Sequence, residues 1–251
     1  MDENSRKIYE KYGINPEECE KENQEILTKR YEELDNKNRQ ILEETFQNGL
    51  LENFDNFKYI LRENRFYYFK ELESNIWQIA ICLIVKAYSA SITLTNHVLE
   101  RTLKLALIQK KSGIPKNFTN WNKNYESSHK YSSWTMENTV AESKILGIIT
   151  EEQVENLTEF RRSMRNGFSN YDPTKILKDS NDIKEMTIKS LESKVDKNIS
   201  FNFKKIPMLQ NAYVNMFAEE NAEFYFDYVI QIIEHIERHF KTEYYNEYEQ
   251  K

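Results

Sequence analysis

Glycine and proline are scarce: 5 Gly and 4 Pro serve 251 residues, and neither occurs between Gly49 and Gly113. Turns of many-stranded proteins draw on these residues, so their scarcity excludes an all-β architecture and points to long helices with short connections. Cysteine is nearly absent too. Cys19 lies in a charged stretch and Cys82 in an apolar run, which excludes a disulfide framework or a cysteine-rich metal site and fits a reducing compartment. No apolar signal segment opens the chain in MDENSRKIYEKYG. The longest apolar run, Ile76 to Val85, is interrupted by Gln78 and falls short of the ~20 residues a bilayer span needs. The expectation is a cytoplasmic chain without a membrane segment, with Ile76 to Val85 as a buried helix.

Bulk comes from aromatics: 16 Tyr, 14 Phe and 3 Trp can fill a core even though 30% of the residues are charged. A formal net charge of -6 argues against general coating of nucleic acid but leaves room for a local basic cleft. Pro16 opens a charged helix running to about Phe46, in which Ile26, Tyr31, Leu34 and Ile41 give a thin apolar stripe that must lean on something else. Arg62-Glu63-Asn64 reads as a polar break and Ser89 to Ser91 as a bend. Val85, Tyr88, Ile92, Thr95, Leu99, Leu103 and Ala106 advance by three or four, as one buried helix face requires, before the Ser112-Gly113-Ile114-Pro115 stop. Residues 116–136 read as a long irregular connection. A short helix from Glu137 to Ile145 ends near Gly147.

Thr150-Glu151-Glu152-Gln153 is a capping box. Behind it Val154, Leu157, Phe160 and Met164 form an apolar stripe, so Arg161, Arg162 and Arg165 fall at the end of an amphipathic helix. The chain restarts after Tyr171-Asp172-Pro173 as a short helix, crosses a polar region to Pro207, and closes with a helix seamed by Ala218, Ala222, Tyr225, Val229, Ile232 and Ile236. Arginines at a helix end have an ordinary explanation in the helix dipole and a nearby acid such as Glu159.

The run Glu152 to Pro173, centred on Arg165-Asn166-Gly167-Phe168-Ser169-Asn170, also resembles the signature of the HEPN superfamily, in which an arginine, a polar residue and then a histidine stand near a helix end. Arg165 matches the arginine, Asn166 the polar residue, and Asn170 the histidine. The helices Ala90 to Gln109 and Asn211 to Phe240 resemble the first long and the closing helix of that fold. The resemblance implies an all-α, HEPN-like antiparallel helical bundle over residues 71–251, with residues 1–70 as an N-terminal helical extension. It also implies a homodimer whose two motifs share a cleft, metal-independent RNA cleavage of the bacterial toxin or antiviral-defence kind, an RNA or nucleotide substrate, an antitoxin or other partner protein, and no cofactor. Catalytic roles pass to Arg165, Asn166 and Asn170, and substrate binding to Arg161, Arg162 and Ser169.

Asn170 departs from the pattern, and an amide cannot titrate as an imidazole does. Losing general acid–base assistance costs about 100-fold to 10,000-fold in rate, so the expectation is a weakened or inactive nuclease. Asn170 marks a natural non-catalytic relative, an introduced silencing substitution, or a chance match. The alternative function is a non-catalytic, dimeric helical binding or scaffold protein for RNA, nucleotide or a protein partner. Other candidates rank lower. His235 and His239 stand four apart without a third metal ligand, His97 and Glu100 share a helix face, and His129 lies in the polar connection where it could replace the missing base.

Overall fold

The computed structural model describes residues 11–13, 15–62, 65–112, 129–169, 176, 183–188, 197–202 and 207–249. Helices dominate: α1 (Pro16–Phe57), α2 (Glu73–Ile84), α3 (Tyr88–Ser112), α4 (Met136–Ile145), α5 (Glu151–Phe160) and α6 (Pro207–Glu249). Short 3-10 turns cover Lys70–Leu72 and His129–Ser133. One antiparallel ribbon pairs β1 (Ile183–Ile188) with β2 (Lys197–Asn202), Ile183 opposite Asn202, where the sequence reads only as a polar region. The predicted all-helical class describes the architecture, with this ribbon added. The long connection expected at 116–136 lies mostly outside the described residues, as does most of the short helix expected after Pro173.

The chain divides into two compact units, Met1–Glu52 and Asn53–Lys251. This boundary falls earlier than the expected division after residue 70, because Phe57, Ile60, Phe66 and Phe69 are all buried with the second unit's core. In the first unit, α1 is exposed along nearly its whole length and continues well beyond the predicted end at Phe46.

In the second unit, α3 is the central element, touching α2, α4 and α6. Its buried face holds Ile92, Thr95, Leu99, Leu103 and Ala106, as the spacing predicts. The break before it comes at Lys86, not at Ser89 to Ser91. Lys86 adopts φ +60, and the Ala87 amide returns to the Cys82 carbonyl at 2.7 Å. This is the six-to-one closure that ends many helices, usually on glycine. Gly147 closes α4 in the same way at φ +67, with the Ile148 amide on the Ser143 carbonyl at 2.9 Å.

Helix α6 contributes Ala218, Ala222, Tyr225, Phe226, Val229, Ile233 and Ile236 to the core. Its buried Glu237 is 4% exposed, and its Oε1 accepts from the backbone amides of Tyr68 at 2.6 Å and Phe69 at 3.1 Å. A carboxylate in this position replaces the water that two inward-turned amides would otherwise need. Nearby, the Arg65 guanidinium meets Glu234 and lies 4.9 Å from the Tyr59 ring centroid, while the Tyr59 hydroxyl donates to Asp227 at 3.0 Å. Burial and the Asp227 charge push the Tyr59 phenol up to about 12.

Glu237→Ala leaves both amides without their partner, and the expected loss is ~2–3 kcal/mol of unfolding free energy. Urea denaturation checks this against Lys241→Ala, whose ammonium is 3.8 Å from Glu237 Oε2 and half exposed; the lysine variant is expected to change stability by less than ~1 kcal/mol.

Candidate functional site

Thr150 starts the segment that carries the motif. Its hydroxyl accepts from the Gln153 amide at 3.2 Å while Gln153 Oε1 accepts from the Thr150 amide at 2.8 Å, completing the predicted capping box. Helix α5 then buries Leu157 and packs Phe160 against Tyr225 and Tyr228, with centroids 5.1 and 5.0 Å away.

The helix does not simply end at the arginines. From Arg161 to Ser169 it widens into a π-helix, a form that concentrates at functional sites. Met164, Gly167 and Phe168 face inward. Phe168 stacks on Phe217 at 6.2 Å, and a Cβ added to Gly167 would collide with the Ile176 side chain, so this position requires glycine for close approach. Opposite them, Arg162 is exposed, while Arg165 and Asn166 are half-buried.

A buried relay holds this segment. Asn96 of α3, 4% exposed, donates from Nδ2 to the Met164 carbonyl at 3.2 Å, and its Oδ1 accepts from the Tyr225 hydroxyl at 2.7 Å. Burial raises the Tyr225 phenol well above its ordinary range, so it remains a donor. Asn96 therefore ties α3 and α6 to the residue immediately before Arg165. Sequence reading missed it, although a signal was present: an asparagine four residues after Ile92 and three before Leu99 sits on an apolar face.

The structure separates the arginines chemically. Arg161 Nη1 meets Glu137 of α4 at 2.8 Å; its acid is not the neighbouring Glu159 that local spacing suggested. Arg65 and Arg101 are likewise matched, by Glu234 and Glu71. Among the described residues Arg165 meets no carboxylate, and its Nη1 donates to Oδ1 of the adjacent Asn166 at 3.3 Å. Arg162 also meets none. Arg165 and Asn166 are thus brought together, Arg161 is drawn aside, and Asn170 with the Ser169 side chain lies outside the described residues.

Of the lesser candidates, Glu100 is taken by Lys104 at 2.8 Å, which also donates to the Ser132 carbonyl at 3.0 Å, and His97 is exposed. The His129 side chain lies outside the described residues. Among the described residues no cluster of three or more His, Cys, Asp or Glu could hold a metal ion, and no helix is long and apolar enough to cross a membrane. His235 and His239 are held below the ordinary imidazole range, chiefly by burial. Comparison with family models, curated proteins and solved structures finds no match for this chain.

Asn96→Leu removes both ends of the relay and is expected to cost ~2–3 kcal/mol, against ~1 kcal/mol for Tyr225→Phe; urea unfolding measures the two. The two histidines set a pH dependence as well. Their folded values are depressed, so the neutral forms stabilise the fold above the unfolded value near 6.5, and stability falls as pH drops through that value. A melting temperature independent of pH between 7 and 5 in the wild-type chain, or the same decline after His235→Gln/His239→Gln, would contradict this.

Proposed function

We propose that this chain is a HEPN-like, metal-independent RNA-endonuclease scaffold of the bacterial toxin or antiviral-defence type, acting as a homodimer, and that Asn170 leaves it able to bind RNA while cutting it poorly. The observation that carries this reading is Arg165: a half-buried guanidinium without a carboxylate partner among the described residues, on a π-helix that Asn96 and Tyr225 anchor from within. A half-buried guanidinium without its own counter-charge is left free to meet an anion. A guanidinium's fork suits the two oxygens of a phosphate.

RNA cleavage by the adjacent 2'-hydroxyl forms an O2'–P bond and breaks the P–O5' bond, leaving a cyclic phosphate and a 5'-hydroxyl. Charge accumulates on the phosphate oxygens, where Arg165 stabilises it and Asn166 orients it. A proton must leave O2' and another must reach O5'. Asn170 supplies neither transfer, which is why binding without efficient cleavage is the expected state. The acidic net charge and the loss of the motif histidine favour a second reading, a non-catalytic helical scaffold that uses the same Arg165 to hold an anion or an acidic partner.

Arg165→Ala is expected to weaken RNA binding more than Arg161→Ala, because Glu137 already neutralises Arg161; fluorescence anisotropy with a labelled single-stranded RNA compares them. Equal losses would indicate a diffuse basic patch. Asn170→His is expected to confer cleavage that persists in chelator, leaves cyclic phosphate ends and disappears with Arg165→Ala, at a rate about 100-fold or more above the unmodified chain. A folded Asn170→His protein that cuts no RNA would return the assignment to the scaffold.

A further inference from the structure

The first unit carries a face that the function above does not use. In α1 the positions Leu27, Tyr31, Leu34, Asn38 and Ile41 step by four, three, four and three, the seam of a heptad repeat with Leu27, Leu34 and Ile41 seven apart. Leu27 is 49% exposed, Tyr31 64%, Leu34 51% and Ile41 49%. Helices in proteins owe most of their stability to packing an apolar face, and among the described residues of the first unit nothing covers this one. Beyond Ile41 the apolar residues Leu42, Phe46 and Leu50 advance by four and turn to another side, so the seam ends there.

We propose that residues 24–45 of α1 pair with the same segment of a second copy as a parallel, in-register coiled coil. The charges select this occupant. In a parallel pair, Arg30 at the position preceding the core faces Asp35 of the partner subunit at the position following it, and symmetry makes the contact twice. Lys37 then lies beside Leu42 of the partner subunit, with no like charges opposed. An antiparallel pair centred between Tyr31 and Leu34 would set Arg30 against Lys37 of the partner subunit, cation against cation. Asn38 agrees: in register its amide meets its own copy across the seam, the arrangement by which a single core asparagine fixes register and dimer state. Gln24 and Thr45 close the two ends with polar groups.

This inference concerns the first unit and does not depend on the RNA chemistry. It is tested on the full chain carrying Cys19→Ser, to remove the only other cysteine of α1. Under mild oxidation Leu34→Cys, in the seam, is expected to form a disulfide-linked dimer at least tenfold faster than Glu32→Cys, on the outer face. In sedimentation velocity the wild-type chain is expected to be dimeric, and Leu27→Glu/Leu34→Glu to weaken association about 100-fold or more. Equal cross-linking at both cysteines overturns the proposal, as does a monomeric wild-type chain, which would assign the face to a different protein. A double-glutamate variant that dimerises with wild-type affinity also overturns it, placing the dimer contact in the second unit; the nuclease reading would stand or fall separately on cleavage by Asn170→His.

Discussion

The amide of Asn96 decides where the motif can sit. It is buried on α3, and both of its polar ends are engaged, one by the Tyr225 hydroxyl and one by the Met164 carbonyl. A buried amide left unpaired would be costly, so α3, α6 and the π-helix are obliged to meet in one arrangement. Apolar packing alone is less selective. Phe160 and Phe168 meet aromatic rings of α6, and the hydrogen-bonded relay adds a single register to that non-directional contact. The guanidinium of Arg165 inherits that register because it follows Met164 in the chain.

The same economy of buried polar groups recurs at the other end of the second unit. Glu237 accepts from the Tyr68 and Phe69 amides just ahead of α2, where the backbone turns inward and no helix partner is available. Arg65, stacked on Tyr59 and bonded to Glu234, holds the same turn from outside. The Glu237 and Glu234 contacts join α6 to a segment distant in sequence. The closing helix is therefore both the core's largest apolar face and the template on which the irregular parts are positioned.

The helical pattern was legible where a residue type has one dominant use. The Thr150 and Gln153 box, the α3 face from Ile92 to Ala106 and the Gly147 closure all follow from local spacing, and all three appear in the fold. Legibility failed where the local rule had an exception. Lys86 occupies a left-handed position that normally signals itself by glycine, so the sequence points instead to Ser89 to Ser91 for the bend before α3. The division between units falls before residue 70 because Phe57, at the end of α1, and Ile60, just beyond it, pack into the core, which only tertiary contact reveals. At the motif, the arginine positions were readable but their inequality was not. Arg161 is neutralised by Glu137, a residue on a different helix, and no spacing rule within α5 could have named it.

That inequality bears on how an acidic protein could handle an anion. With a formal net charge of -6, the long-range field does not gather polyanions, so the proposed RNA binding would rest on a few cations kept free of internal acids. Arg65, Arg101 and Arg161 each take a nearby carboxylate as partner. Arg165 is restrained from doing so by its place on a segment whose register is set elsewhere, next to a neutral Asn166. Pre-organisation of this kind would lower the cost of ordering the side chain on a phosphate, the ligand of the proposed reading. It contributes nothing to proton transfer, which a guanidinium cannot perform near neutral pH. In the proposed nuclease reading, binding and cleavage are therefore separable: the first would rest on the relay beneath Arg165, and the second on the side chain at position 170.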